Sequence, residues 1–163
     1  MLTPLFKVAR ELICCRSGSM SYTDLRPLQN TPSTATISQY NDNRLGAVYS
    51  SLYAFWTSRQ AAINAVGQNT TIARRDAYSV ILFENSATTC ISNDFTSSPD
   101  DLLNSIVPHE AWGGTNYTAA LTAAQSLMVQ HWSNERYATL LGQSLRTTTN
   151  VQKVSCSHFP LRW

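Results

Sequence analysis

The sequence predicts an α/β fold in which a mainly parallel sheet is flanked by helices. A near-continuous apolar and β-prone run at residues 78–83 is typical of a strand that is covered on both faces. Through residues 44–66, apolar side chains recur at three- and four-residue steps, which is the spacing of one helix face. Strand and helix patterns then alternate up to residue 132, and this alternation favours a Rossmann-like arrangement with parallel strands.

The first half of the chain is expected to supply one buried strand, a loop and a long helix. Residues 12–15 are apolar and end the first strand, whereas residues 22–43 are rich in Ser, Thr, Asn, Gln, Asp and Pro and are expected to form a loop. The helix at 44–66 should stop at Gly67, because glycine is the usual residue just past a helix end. The large apolar face of this helix must pack against another element, and a sheet is the expected one.

Three further elements are predicted after the buried strand. Residues 87–92 alternate loosely and indicate a second, more exposed strand. A short helix should follow with Ser98 as its N-cap and with two acidic residues in its first turn. Another helix is predicted over residues 116–132, and its alanines allow it to approach a sheet closely.

Bulk composition argues against several classes of protein. Charged residues make up 13% of the 163 residues and the net charge is +2, with Arg and Lys scattered, so a nucleic-acid partner is not expected. No run approaches the roughly 20 apolar residues that span a bilayer. Lys7 and Arg10 interrupt the N-terminal apolar stretch, which therefore does not read as a signal peptide. The four cysteines show neither metal-site spacing nor a disulfide framework, and we expect a reduced, intracellular setting.

Three small hydroxyls are the candidate metal ligands: Ser17, Ser19 and Thr115. The two serines follow the first strand, and Thr115 lies in the loop that enters the helix at 116–132. Ligands of open α/β sheets bind beyond the carboxyl ends of the strands, so we expect these loops to meet at one edge. Hard divalent cations prefer oxygen ligands, and they normally need carboxylates as well.

The motifs resemble a von Willebrand factor type A (vWA) domain over residues 5–136. The resemblance rests on Cys15-Arg16-Ser17-Gly18-Ser19, on the strand at 78–83 and on the run Gly-Gly-Thr-Asn-Tyr-Thr-Ala-Ala-Leu that begins at Gly113. In that family an Asp-x-Ser-x-Ser loop, a later Thr and a distant Asp form the metal-ion-dependent adhesion site (MIDAS). The resemblance implies that Ser17, Ser19 and Thr115 bind Mg²⁺ or another divalent cation. It also implies that a protein partner's carboxylate completes the coordination, without covalent chemistry.

Two departures from that family predict an impaired site. Cys15 stands where the family has Asp, and the family's last motif, an apolar strand that ends in Ser-Asp-Gly, is absent after Arg136. Mg²⁺ dehydrates reluctantly, so three neutral hydroxyls do not readily replace its water. Asp24 is the nearest acid in sequence to the serines, and a flexible loop could bring it to the site.

The end of the chain is expected to differ from the rest. We predict an incomplete vWA-like domain over residues 5–136 and a divergent, poorly organised tail at 137–163, which contains no Asp or Glu. Within that tail, residues 137–141 suggest one short strand. If the family's remaining strands are missing, the sheet has an uncovered edge, which invites pairing with another chain.

These observations favour a protein–protein interaction module that is not an enzyme, and two alternatives stay open. One is a non-functional or partly folded fragment of a larger vWA protein. The other is an anion- or phosphate-binding enzyme domain, because helix N-termini attract anions. Against an enzyme, no lysine follows the Ser-Gly-Ser loop as a P-loop requires. His109, His131 and His158 are not placed by sequence beside a nucleophile.

Overall fold

The computed structural model describes residues 8–65, 76–140 and 150–151. In this part of the chain a sheet of four strands has the order β3-β2-β1-β4. The strands are β1 (Val8–Cys15), β2 (Asp76–Phe83), β3 (Ala87–Asp94) and β4 (Asn150–Val151). The helices are α1 (Thr34–Tyr40), α2 (Arg44–Ala65), α3 (Pro99–Ile106) and α4 (Tyr117–Leu140).

The sheet is small and its strands are mixed in direction. The strands β1 and β2 run parallel along their whole length, from Val8 opposite Asp76 to Cys15 opposite Phe83. The strand β4 also runs parallel to β1, whereas β3 is antiparallel to β2 because a short turn joins them. The architecture is therefore the expected α/β class, with one antiparallel edge strand.

The two predicted strands in the middle of the chain are confirmed. All eight residues of β2 are buried, as the near-continuous apolar run at 78–83 indicated. On one side the rings of Phe55 and Trp56 in α2 meet the ring of Tyr78 edge to face, with centroids 6.1 and 6.2 Å away. The strand β3 lies at the edge of the sheet, and Ile91 is its one buried residue.

The predicted helices at 44–66 and after Ser98 are also confirmed. The helix α2 ends at Ala65, and the expected stop at Gly67 lies outside the described residues. The helix α3 begins with a capping box: the Ser98 hydroxyl accepts from the Asp101 amide at 3.2 Å, and the Asp101 carboxylate accepts from the Ser98 amide at 3.1 Å. Both pairs satisfy amides that the first helical turn leaves without a partner.

The expected loop at 22–43 contains the short helix α1. Its single buried anchor is Ile37, which is 0% exposed. After the helix, the buried Asn41 side chain donates to the carbonyl oxygen of Val107 at 3.0 Å and to that of His109 at 3.3 Å. The loop prediction was wrong for residues 34–40, because the local composition is polar and the contacts that hold this segment come from residues far away in the chain.

The predicted strand at 137–141 is wrong as far as Leu140, because α4 continues to that residue. A short apolar run does not by itself distinguish a strand from the end of a helix. No glycine or proline interrupts the segment from Tyr117 to Leu140, so the helix has no local reason to stop. Leu141 lies outside the described residues.

The strand β4 lies within the tail that was expected to be poorly organised. It places Asn150 opposite Arg10 and Val151 opposite Glu11. One part of the β1 edge is therefore paired, while residues 141–149 and 152–163 of the tail lie outside the described residues. Within the part of the chain that is described, no helix combines the length and apolar character that a membrane crossing requires.

Candidate functional site

Three loops meet beyond the carboxyl ends of β1 and β2, and we call this surface the rim. It consists of residues 16–22 after β1, residues 84–86 after β2 and residues 112–116 before α4. Backbone hydrogen bonds join the loops: Arg16 N to Phe83 O (2.8 Å), Trp112 N to Arg16 O (2.8 Å), Gly18 N to Gly113 O (2.9 Å) and Asn116 N to Glu84 O (2.6 Å). The parallel register of β1 and β2 brings the first two loops side by side, and the third is fastened to both.

Glycine at position 113 is required by the closeness of these loops. Gly113 has a φ of +76°, which disfavours residues with a side chain. A Cβ atom there would also lie 3.0 Å from the Glu84 Oε2 atom. The approach of the Gly-Gly-Thr loop to the end of β2 therefore depends on this residue.

The two serines are in contact, as their spacing predicts. The Oγ atoms of Ser17 and Ser19 lie 3.1 Å apart. Ser17 is buried and Ser19 is exposed, so one hydroxyl faces inward and the other faces solvent. The turn that joins them is a single 3-10 turn over Gly18–Ser21, which is closed by the hydrogen bond from Met20 N to Ser17 O.

Thr115 belongs to the loop that is hydrogen-bonded to this turn. It lies two residues after Gly113, whose carbonyl accepts from Gly18 N, and it is exposed. The loops of all three candidate ligands are thus assembled at one edge of the sheet. That Ser17, Ser19 and Thr115 bind a metal ion stays a prediction.

Cys15 contacts the first serine directly. Its sulfur donates a hydrogen bond to the Ser17 hydroxyl at 3.1 Å, and both residues are buried. A thiol offers no carboxylate oxygen at the position where the vWA family has an aspartate.

Glu84 is the carboxylate at the rim that the sequence reasoning missed. It follows β2 directly and is 3% exposed. Its Oε1 atom accepts from the Ser86 hydroxyl at 2.7 Å and lies 3.5 Å from the Arg16 guanidinium, while Oε2 accepts from the Asn85 amide. The Ser86 hydroxyl is the largest of the effects that lower the pKa of Glu84 below its ordinary value. An acidic residue immediately after a fully buried strand was the signal that pointed to it.

Both acidic groups near the serines are already paired with arginine. The Arg44 guanidinium donates to both oxygens of Asp24, at 2.6 Å each, and these hydrogen bonds lower the pKa of Asp24. The same arginine lies 3.4 Å from the carbonyl oxygen of Ser19. Among the described residues, no group of three or more His, Cys, Asp or Glu side chains is arranged to hold a metal ion. Bare hydroxyls without a free carboxylate fit a hard divalent cation poorly.

A cysteine and a histidine, which the sequence did not pair, meet near the rim. The sulfur of Cys90 lies 3.4 Å from Nε2 of His109. Burial raises the pKa of the Cys90 thiol, and burial together with the charge of Arg16 lowers the pKa of His109. Both shifts favour the neutral forms, so the pair is not poised as the thiolate and imidazolium of a cysteine nucleophile. His131 lies beside Glu11 in the core, and His158 is outside the described residues.

Three large aromatic side chains are exposed on the rim loops or directly after them. Tyr22, Trp112 and Tyr117 are 61%, 58% and 57% exposed. Each has a fixed neighbour: the Arg44 guanidinium lies 5.1 Å from the Tyr22 ring, that of Arg16 lies 5.9 Å from the Trp112 ring, and the Phe83 ring lies 5.5 Å from the Tyr117 ring.

Comparisons with known proteins give only distant likenesses. No protein-family model matches the sequence, and no curated protein matches it. Among solved structures, the chain is similar to an uncharacterized membrane-spanning protein from Vibrio fischeri, with 16% identity and a TM-score of 0.45 over 77% of this chain and 50% of that chain.

It is also similar to proximal thread matrix protein 1 from the mussel byssus. One form of that protein has a zinc-occupied MIDAS motif and shows 12% identity and a TM-score of 0.37, over 91% of this chain and 29% of that chain. A second crystal form shows 15% identity at the same TM-score of 0.37, over 74% of this chain and 25% of that chain. The chain thus spans half or less of the length of these solved proteins.

Proposed function

We propose that this chain is a vWA-like module that binds a protein partner through the rim, and that its divalent-metal site is impaired. The observation that carries the proposal is that Tyr22 and Trp112 on the rim loops, and Tyr117 directly after them, are exposed aromatic side chains. Tyrosine, tryptophan and arginine are enriched at protein interfaces and supply most of the binding hot spots.

The backbone of the rim supports a binding role. Its loops are fastened to one another by main-chain hydrogen bonds, such as those from Trp112 N to Arg16 O and from Gly18 N to Gly113 O. A surface that is ordered before binding loses less conformational entropy when a partner arrives. The rim therefore presents its aromatic side chains on a preformed platform.

The side-chain contacts at the rim support metal-independent binding. Ser17 is engaged by the Cys15 thiol, Glu84 by Arg16, and Asp24 by Arg44. A divalent cation at the serines would have to break one of these ion pairs to gain a carboxylate, and it would otherwise rely on neutral oxygens. In this proposal the partner contacts the aromatic side chains directly, and the module catalyses no reaction.

Site-specific photocrosslinking tests the proposal. A photoreactive amino acid is placed at position 112, and a second version at position 129 serves as the control, because Val129 is 59% exposed on α4. A protein that crosslinks only from position 112 is identified, purified and titrated against the unmodified chain.

The proposal predicts a specific pattern in that titration. Trp112→Ala should weaken the affinity by at least about tenfold, since truncation of a buried interface tryptophan is a typical hot-spot loss. Val129→Ala should change the affinity by less than about twofold, which is smaller than the loss expected for a residue that contributes to an interface. The addition of EDTA should also change the affinity by less than about twofold. Unchanged affinity of Trp112→Ala would contradict the choice of surface, and loss of binding in EDTA would contradict metal independence.

A further inference from the structure

Among the side chains that the structure describes, Glu110 is the one carboxylate with neither a hydrogen bond nor an ion pair. It is exposed and lies two residues before Trp112, at the entry to the third rim loop. Every other carboxylate in the described side chains lies close to an arginine, a histidine, a hydroxyl or a backbone amide. The charge of Glu110 is therefore available to a partner.

The segment that leads into the rim turns Glu110 and Trp112 toward solvent. Burial alternates along it: His109 and Ala111 are half-buried, whereas Glu110 and Trp112 are exposed. Ala111 packs against the hydrophobic core and so fixes the orientation of the segment. A period of two places alternate side chains on the same side of the chain, and two residues span at most about 7 Å. The carboxylate and the indole ring are thus close enough to contact one side chain of a partner.

The positive charge nearest to Trp112 is already balanced. The Arg16 guanidinium lies 5.9 Å from the centre of the Trp112 ring and 3.5 Å from the Glu84 carboxylate. Burial, together with the charge of Arg16, lowers the pKa of His109 below 6.5, so its imidazole is neutral at pH 7. The charge of Glu110 is left uncompensated, and this end of the rim is negative in a chain whose net charge is +2.

The remaining arginines strengthen the same conclusion. In the described part of the chain each arginine is paired with a carboxylate: Arg10 and Arg59 with Asp76, Arg16 with Glu84, Arg26 with Asp42 and Arg44 with Asp24. An acidic side chain of a partner would have to break one of these pairs to find a guanidinium. A basic side chain meets Glu110 without such a loss, so charge complementarity favours a basic partner.

We infer that the partner of the rim presents an arginine side chain to Glu110 and Trp112, an inference that rests on the proposed function. The guanidinium donates two parallel N–H bonds to the Glu110 carboxylate and lays its plane against the Trp112 indole. Lysine carries the same charge but has neither the donor fork nor the flat face, and it fits this pair of side chains less well. A metal bridge would instead require a carboxylate from the partner.

Peptide titrations of the full chain test this inference by nuclear magnetic resonance. The probes are blocked peptides of sequence Leu-Gly-X-Gly-Leu with arginine, citrulline, lysine or aspartate at X. Citrulline has the shape of arginine without its charge and is the matched control. The readout is the indole N–H signal of Trp112 in the ¹⁵N-labelled chain, which the variant Trp112→Phe identifies by its loss.

The arginine peptide should shift the Trp112 indole signal saturably, with a Kd of about 10 mM or tighter. The citrulline and aspartate peptides should bind at least about threefold more weakly, because an exposed ion pair is worth up to about fivefold in affinity. The lysine peptide should bind more weakly than the arginine peptide.

Two variants separate the role of Glu110 from that of net charge. Glu110→Gln should weaken the arginine peptide by at least about threefold and should change the affinity of the citrulline peptide by less than about twofold. Asp100→Asn removes the same charge from the first turn of α3 and leaves an oxygen to accept from the Tyr53 hydroxyl. This control should change the affinity of every peptide by less than about twofold.

Three results would overturn the inference. They are the absence of a saturable shift with the arginine peptide, equal or tighter binding of the citrulline or aspartate peptide, and an unchanged affinity of Glu110→Gln for the arginine peptide. The proposed function fails separately. If a crosslinked protein depends on Trp112 but the arginine peptide does not depend on Glu110, the rim binds proteins and only the inferred arginine is wrong. If the arginine peptide depends on Glu110 but no protein crosslinks from position 112, the proposed function is wrong.

Discussion

The Cys15 sulfur donates a hydrogen bond to the Ser17 hydroxyl, 3.1 Å away, where β1 leads into the rim. The thiol occupies the position from which a carboxylate would help to hold a divalent cation at Ser17 and Ser19. In the proposed function, this one side chain separates direct binding of a protein partner from binding through a metal ion.

The substitution Cys15→Asp should create a saturable Mg²⁺ or Mn²⁺ site, because it restores an anionic oxygen next to two hydroxyls that are already in contact. We expect isothermal titration to show binding heat for the variant and none for the original chain. A cation at about 100 times its Kd should add about 2.7 kcal/mol to the free energy of unfolding. The double variant Cys15→Asp/Ser19→Ala should lose both effects. Equal binding heat in the original chain and in Cys15→Asp would contradict the impaired site.

The substitution Gly113→Ala should destabilise the fold by about 1–3 kcal/mol, because a non-glycine residue is strained at a positive φ. The added Cβ atom would also press against Glu84, 3.0 Å away. Urea unfolding measures the loss, and Thr115→Ala, an exposed change two residues later, is the control and should stay within about 0.5 kcal/mol. Equal stability of the two variants would show that the loop does not need its close approach to β2.

The substitution Ser98→Ala should lower the free energy of unfolding by about 1 kcal/mol, because it removes the capping box of α3. Ser105→Ala is the matched control: its hydroxyl donates to the Asp101 carbonyl within the same helix and caps nothing. Thermal melts of the two variants should therefore separate, with Ser98→Ala melting lower. Coincident melts would mean that the cap contributes nothing to the stability of α3.

Glu11 should make the protein less stable as the pH rises. It is buried in β1 with its Oε1 atom 3.8 Å from the His131 Nδ1 atom, and burial raises its pKa above the ordinary value of 4.5. The folded state thus holds this proton more tightly than the unfolded chain does. The contribution of Glu11 to stability is largest below pH 4.5 and decreases as the pH rises through its folded pKa.

Denaturant unfolding of Glu11→Gln between pH 4 and pH 8 measures this effect, and the variant should gain stability relative to the original chain as the pH increases. Glu84→Gln provides a comparison of opposite sign, because the pKa of Glu84 is lowered from 4.5. Its carboxylate stabilises the fold above pH 4.5, and that benefit is lost as the pH falls through the folded pKa. Parallel pH profiles for the two variants would contradict the assignment of both groups.

Most of the secondary structure was predictable because it follows from sequence patterns that extend over only a few residues. The buried strand at 78–83, the edge strand at 87–92 and the helix at 44–66 each carry a period or an apolar run that suffices. The cap at Ser98 is likewise encoded within four residues. Two predictions failed where the deciding contact was distant or the run was short: α1 is anchored by the buried Ile37, and α4 continues through residues 137–140.

The candidate site was predictable only in part, for a related reason. The spacing of Ser17 and Ser19 fixes their contact within one turn. The Glu84–Arg16 pair spans 68 residues and depends on the parallel register that sets Cys15 opposite Phe83. The position of Glu84 directly after a buried strand is a sequence signal, but its pairing with Arg16 is decided by the strand register.

By itself, the sequence determined the α/β class, the strands β2 and β3, the helices α2 and α3, the start of α4 and the two loops that carry the hydroxyls. These features are predictable because hydrophobic periodicity, helix caps and glycine turns each depend on residues that are close together in the sequence. Only the tertiary structure decided which charges are paired and that Cys90 meets His109. Those outcomes depend on strand register and helix packing, which bring together side chains from distant parts of the chain.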